Sequence, residues 1–273
     1  MGHDKLRKFA ENETFSCLLQ PSAEELLADG YFHLRDHAVK GNWKERFENN
    51  NPIVLELGCG KGEYTVALAE RDPERNYIGV DIKGARLWKG AKYATEHAMP
   101  NVAFLRTRVE FITAFFAPGE VSEIWLTFSD PQYRSENSRL SSPLFLERYR
   151  SFMKPGGIVH LKTDSRFLHE YTRAVCEANG LRILSQTTDL YGQQVEVQPV
   201  VKEVKTFYEQ LFLEQGYPIT YLSFVIDHEG PYVSPRDPEQ FDSKAWRAAE
   251  GQRLLFGHDS AETRRQKLHS TEA

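Results

Sequence analysis

The sequence predicts an α/β fold: a doubly wound, mostly parallel sheet with helices on both faces. Three observations carry that expectation. Between residues 53 and 191, short β-branched or apolar runs alternate with longer segments of helical spacing, the pattern of strands joined by covering helices. The first run, Ile53 to Leu57, passes directly into three alternating glycines, Gly58, Gly60 and Gly62. The second run closes on an acid, Asp81, where a sheet of this type meets a ribose.

Each element follows in order. IVLEL is the first strand. After the glycine turn, Glu63, Tyr64, Val66, Ala67, Leu68 and Ala69 predict a helix that stops near Asp72-Pro73, because the residue before proline is pushed out of helical geometry. NYIGVD is the second strand, a helix should run from about Gly84 to His97, and Asn101 to Arg106 form the third strand. EIWLTF (Glu123 to Phe128) is the fourth strand, PLFLERYRSFM a helix, GIVHLKTD the fifth strand, and SRFLHEYTRAVCEANG a helix closed by Gly180, a residue suited to the left-handed end of a helix. Residues 192–206 are less periodic, and Ile219 to Asp227 read as one further strand. The expected organisation is an N-terminal extension over 1–50, a core domain over 51–228 and a polar tail over 229–273. That tail, with Arg264, Arg265 and Lys267 near its end, is expected to be partly disordered.

Composition narrows the function. With 40% hydrophobic and 27% charged residues the chain has the balance of an ordinary globular protein. No apolar run approaches the ~18 residues of a membrane span, and the first residues lack a secretory h-region, so the expected compartment is the cytoplasm, with no membrane partner. Cys17, Cys59 and Cys176 lie far apart, which provides neither a disulfide framework nor a metal site. The net charge of -5 means that any nucleic acid must be held by a local basic patch against the overall field.

The glycine turn, ELGCGKGEY, lets backbone approach a ligand where a Cβ would clash, and the helix after it offers free N–H groups. A dinucleotide fingerprint needs a glycine where Glu63 stands, so a nicotinamide cofactor is disfavoured. Asp81 can accept hydrogen bonds from ribose hydroxyls. Glu56, inside the first strand among Val54, Leu55 and Leu57, is costly to bury without a partner. Either the ammonium of a cofactor or a nearby lysine or arginine would supply one. At this point the chain resembles the class I S-adenosylmethionine-dependent methyltransferases, with their Rossmann-like sheet, whose first motif has the form LELGCGKG and whose second acid ends strand two.

The segment after the fourth strand, TFSDPQYRSENSRL, sets Asp130 on a rigid Asp-Pro turn at the edge where such sheets bind ligands. Taken with Lys162-Thr163-Asp164 and with Thr206-Phe207-Tyr208-Glu209, it resembles the bacterial tRNA (guanine-N7-)-methyltransferase family over roughly residues 50 to 225. That resemblance implies transfer of a methyl group from S-adenosyl-L-methionine to N7 of a guanine in tRNA, in the variable loop. It places Glu56, Gly58, Gly60, Asp81, Arg108 and Asp130 at the cofactor, Asp130 also at the chemistry, and Arg134, Asp164, Thr206 and Glu209 at the tRNA. Three departures from the family pattern stand out. Ser129 replaces a proline, Gln132 a tryptophan, and the basic cluster shrinks to Arg134 and Arg139. Arg108 stands where the family carries an acid.

Two basic runs are candidate phosphate contacts: Lys83, Arg86, Lys89 and Lys92 on one helix, and Lys5, Arg7 and Lys8 near the start. Phe145, Tyr149 and Phe152 are expected in the core. The alternatives are methylation of a small molecule or a protein, which the acidic net charge favours, and a non-catalytic nucleotide-binding or RNA-binding module, which the set of site acids disfavours.

Overall fold

The structure, a computed structural model, describes residues 3–28, 33–235 and 239–250. Those up to 235 form one compact unit, and 239–250 belong to a second. The tail cluster Arg264, Arg265 and Lys267 lies outside the described residues.

The first unit contains eight strands: β1 (Leu18–Leu19), β2 (Ile53–Leu57), β3 (Asn76–Asp81), β4 (Val102–Arg106), β5 (Val121–Thr127), β6 (Met153–Thr163), β7 (Ile183–Thr187) and β8 (Thr220–Val225). Its helices are α1 (His3–Asn12), α2 (Ala23–Leu26), α3 (Trp43–Phe47), α4 (Glu63–Arg71), α5 (Gly84–Glu96), α6 (Pro143–Arg150), α7 (Arg166–Ala178), α8 (Pro199–Glu203) and α9 (Phe207–Glu214). The expected fold class is the one the chain adopts. One sheet runs in the order β1-β4-β3-β2-β5-β6-β8-β7, parallel from β1 to β6 and antiparallel where β8 enters. Every residue of β2 and β3 is buried, as in parallel strands covered on both faces.

Several elements are additions to those the sequence predicts, among them two strands and the helices α8 and α9. β1, from the N-terminal segment, pairs with β4 at one edge. β7 is the opposite edge; its half-exposed, alternating ILSQT carries little apolar signal. α9 begins at Thr206, whose hydroxyl accepts from Glu209 N at 3.2 Å.

Side chains of one parity on the sheet, including Val54, Tyr77, Phe104, Trp125 and Tyr221, share a core cluster with Tyr64 and Leu68 of α4, Leu87 and Ala91 of α5 and Phe212 of α9. The buried residues of α6 and α7 lie outside that cluster and cover the other face, where Phe145, Tyr149 and Phe152 are buried as expected. Local sequence sets the helix starts. Ser142 and Ser165 cap α6 and α7 with their hydroxyls, and Pro143 occupies the first turn of α6, where its missing N–H costs nothing. The strand order reverses between β2 and β5, so the crevice beyond their carboxyl ends is the switch point at which such sheets bind ligands.

In the second unit, α10 (Ser243–Glu250) is preceded by Asp242, whose carboxylate accepts from Lys244 N and Ala245 N at 3.0 and 2.7 Å.

Candidate active site

The turn after β2 is tied down from β3. Gly58 N and Cys59 N both donate to Val80 O, at 2.8 and 3.0 Å. Gly60 N donates to Asp81 Oδ2 at 3.0 Å, and Lys83 N to Asp81 Oδ1 at 2.7 Å. Two of the glycines have separate duties. A Cβ on Gly62 would lie 2.5 Å from the Phe104 ring, so that glycine lets α4 seat on the sheet; a Cβ on Gly60 would meet nothing within 4 Å. Gly60 is needed for its backbone, at φ +57°, and it leaves its surface open to a ligand.

A groove of about 230 Å³ opens beside this turn, lined by Gly58, Asp81, Ile82 and the run Thr107 to Glu110. It suits a nucleoside. Ile82, 52% exposed, offers an apolar surface for a base. Each Asp81 oxygen accepts one backbone N–H and keeps a lone pair for a ribose hydroxyl. Arg108 lines the groove with Glu110, whose carboxylate lies 3.6 Å from the guanidinium, so an acid is present two residues beyond the position where the family carries one.

Glu56 lies at the floor of the turn, 3% exposed. Its partners are hydroxyls and a backbone amide. Oε2 accepts from Thr65 N at 2.8 Å and from the Thr65 hydroxyl, and Oε1 accepts from the Thr127 hydroxyl. No lysine or arginine pairs with it among the described residues. Burial pushes its pKa up to about 7, against the pull of the Thr127 and Thr65 hydrogen bonds. The sequence does not reveal these two threonines as its holders, because one follows on α4 and the other comes from β5.

Past Thr127 the backbone turns sharply, with Phe128 at φ +50° and Gln132 at φ +48°, conformations that cost a non-glycine residue energy and gather at functional loops. Between them Asp130 is exposed, and its Oδ1 accepts from Gln132 N at 2.9 Å. Thr127 pairs with Lys162 in the β5–β6 register, so Asp130 and Asp164 leave neighbouring strands at the same edge, beside the switch point. Arg134 is exposed on the loop beyond Asp130, whereas Arg139 is buried. The Arg139 guanidinium lies 4.3 and 4.7 Å from the ring centres of Tyr171 and Phe167. Of the reduced basic cluster, Arg134 is therefore the exposed member.

The K-T-D and T-x-x-E elements meet in the interior. Lys162 and Glu209 are both fully buried, with Nζ 2.7 Å from Oε1. Lys162 also donates to Val201 O at 2.7 Å and Val204 O at 2.8 Å, and the Tyr191 hydroxyl donates to the same Glu209 oxygen at 2.6 Å. Burial lowers the pKa of Lys162 to about 8, against the attraction of Glu209. Thr206 caps α9 and Glu209 occupies its third position, the spacing of a capping box, but the acid is turned inward to a lysine. The expected contact residues Thr206 and Glu209 thus anchor α9, while Phe207 and Tyr208 between them face outward.

The two basic runs lie side by side, because α1 packs along α5. Trp88 joins them: Arg7, Lys8 and Lys92 all lie over its ring at about 5 Å, and its indole N–H donates to Glu11 at 2.7 Å. Several of these cations are already paired, Lys89 with Glu63 at 2.6 Å, Lys92 with Glu96 at 3.6 Å, and Arg7 and Lys8 with Asp4 at 2.8 Å. Among the described residues, no helix is long and apolar enough to cross a membrane, and no group of three or more His, Cys, Asp or Glu is placed to hold a metal.

A mostly parallel sheet with its glycine turn, strand-two acid and nucleoside-sized groove beyond the carboxyl ends of β2, β3 and β4 defines a class I, Rossmann-like methyltransferase. The sequence pattern of a family described as "Putative methyltransferase" matches residues 50–222. The chain is 51% identical to a tRNA (guanine-N(7)-)-methyltransferase of Christiangramia forsetii, over 82% of this chain and 98% of the relative. It is 46% identical to one of Bacteroides fragilis, over 89% and 94%. The chain belongs to the tRNA (guanine-N(7)-)-methyltransferase family. In fold it is similar to the 16S rRNA methyltransferase KamB, with a TM-score of 0.52 at 16% identity over 72% of this chain and 97% of that one.

Proposed function

We propose that this protein transfers the methyl group of S-adenosyl-L-methionine to N7 of a guanine in tRNA, in the variable loop, and that it does so in the cytoplasm. The observation that carries the reading is the register of β2, β5 and β6, which sets the Gly58–Asp81 groove, Asp130 and Asp164 along one sheet edge. In this reading residues 51–228 are the methyltransferase domain, and the extension before them adds α1 to the basic surface of α5.

Gly58 and Gly60 hold the amino-acid end of the cofactor, Asp81 the ribose, and Ile82 with the Arg108–Glu110 pair the adenine. Glu56, reached through Thr65 and Thr127, sets the shape and charge beneath the turn. When bound, S-adenosyl-L-methionine supplies an electrophilic methyl group on a sulfonium. Guanine N7 presents a lone pair and carries no proton, so no base has to act first. The chain's work is placement in line and close approach. The purine gains positive charge as the bond forms, and the exposed carboxylate of Asp130 stabilises that charge. Asp164 accepts from the donor edge of the guanine, Arg134 contacts a phosphate, and Thr206 and Glu209 serve the tRNA by holding the start of α9.

Asp130→Asn keeps the shape of this turn and removes its charge. Loss of one such electrostatic contact typically slows the chemical step on the order of a hundredfold, with tRNA affinity retained. Single-turnover methylation at saturating cofactor and tRNA, with cofactor affinity measured in the same variant, tests this. A near-parental rate would remove Asp130 from the chemistry.

A further inference from the structure

Beside the glycine turn lies an aromatic ledge that the site described above does not use. Phe207 is 56% exposed and Tyr208 38% exposed, an unusual display for two adjacent aromatics at the start of a helix that buries Glu209 and Phe212. Their rings stand edge to face at 5.7 Å and 73°. Lys61, from the glycine turn itself, places its ammonium 5.3 Å from the Phe207 ring centre and 5.8 Å from that of Tyr208. The ledge is held firmly. Phe207 N donates to Glu63 Oε2 at 3.2 Å, Thr206 caps the helix, and Glu209 is locked to Lys162.

The charge around the ledge is also one-sided in effect. Lys61, Lys202 and Lys205 stand here with Glu63, Glu203 and Glu209. Each of the three glutamates is paired with a cation from another element: Glu63 with Lys89, Glu203 with Arg71 and Glu209 with Lys162. Among the described residues Lys61, Lys202 and Lys205 enter no ion pair, and Lys205 lies 4.4 Å from the Tyr191 ring centre.

We infer that Phe207 and Tyr208 form a stacking platform for an unstacked base of the RNA substrate, with Lys61 and Lys205 beside it to meet the adjoining phosphates. Aromatic faces flanked by cations are the combination that holds single-stranded nucleic acid without reading its sequence. N7 of a guanine lies on the major-groove edge, which in A-form RNA is too deep and narrow for an active site to enter, so the enzyme meets it in an exposed or displaced nucleotide. A platform anchored to the cofactor turn through Glu63 receives a base that has been displaced in this way. This inference rests on the tRNA reading above.

The test measures tRNA affinity for the full chain and for Phe207→Ala, Tyr208→Ala, Phe207→Leu and Phe207→Trp at several salt concentrations, with cofactor affinity as the control for folding. Each alanine should weaken tRNA binding roughly five- to a hundredfold, raise KM more than it lowers kcat, and leave the salt slope and cofactor affinity unchanged. Phe207→Trp should bind like the parent and Phe207→Leu should not, because a base stacks on a ring and not on an aliphatic chain. Lys61→Met should reduce the salt slope by roughly 0.7 to 0.9. Alanine variants that bind tRNA as tightly as the parent overturn the platform while leaving the methyltransferase reading intact. Phe207→Leu matching the parent overturns it too, since the ledge would then be an apolar docking patch. A parent chain that neither binds nor methylates tRNA overturns both.

Discussion

Removing Glu209 alone should cost far more stability than its single ion pair suggests, and removing Lys162 with it should recover much of that loss. Lys162 and Glu209 are 0% exposed, and they join β6 to α9 through a 2.7 Å contact. In Glu209→Ala the ammonium keeps Val201 O and Val204 O but loses its counter-charge in the interior. Breaking a buried pair on one side typically costs about 3 to 5 kcal/mol. Lys162→Met strands the carboxylate with the Tyr191 hydroxyl as its remaining donor and should cost a similar amount. If the two losses were independent, the double variant Lys162→Met/Glu209→Ala would lose roughly 6 to 10 kcal/mol. We expect it to lose about as much as one single variant, because no uncompensated charge is left. In a unit of this size each kcal/mol moves Tm by roughly 2 to 4 °C, so the singles should melt roughly 6 to 20 °C below the parent. Urea and thermal unfolding of all four proteins give the coupling energy directly. Additive losses, or a Glu209→Ala protein as stable as the parent, would refute the buried anchor and with it the account of how α9 is held.

Asp81→Ala should weaken S-adenosyl-L-methionine binding tenfold or more, since charge-assisted hydrogen bonds are worth roughly 1.5 to 3 kcal/mol each; calorimetric titration checks it, and unchanged affinity would take the ribose away from Asp81. Burial raises the pKa of Glu56 from 4.5 to about 7, so the unfolded chain gives up that proton first. The ligand-free protein should therefore lose stability as pH rises from about 4.5 to about 7, on the order of 3 kcal/mol. Urea midpoints across that range should show a smaller pH effect in Glu56→Gln than in the parent, and equal pH profiles would contradict it. The shared basic surface of α1 and α5 should appear as a salt-dependent tRNA affinity whose slope falls in Lys8→Ala/Lys92→Ala, by roughly 0.7 to 0.9 per lost phosphate contact. An unchanged slope would assign those lysines to the ion pairs and the Trp88 ring alone.

The sheet was legible because its parallel strands are buried on both faces and therefore read as continuous apolar runs, bounded by glycine, proline and acids. The glycine turn and Asp81 were legible for a related reason: backbone geometry dictates glycine there, and spacing alone places the acid. β7 escaped because an edge strand with half its side chains exposed has the composition of a loop. α9 escaped because Thr206 and Glu209 stood out as ligand contacts, although Ser or Thr followed three residues later by Glu is also the signature of a helix start. A further signal lay in Lys162: a lysine directly after the apolar run of a central strand, once buried, demands an anion, and only the fold shows that Glu209 supplies it. The electrostatics were the least legible part. That Lys89 is paired with Glu63, 26 positions away in sequence, and that Arg139 turns inward onto Phe167 and Tyr171, depends on which elements the tertiary structure brings together.

The identity of the methylated atom decides the proposed function. Unmodified tRNA incubated with this protein and isotopically labelled S-adenosyl-L-methionine, digested to nucleosides and separated by liquid chromatography with mass spectrometry, tests it directly. The label should appear in 7-methylguanosine, from a single guanine in the variable loop, and should be nearly absent in the Asp130→Asn reaction at early times. Label in another nucleoside, or transfer to protein and small molecules with tRNA left unmodified, would contradict it.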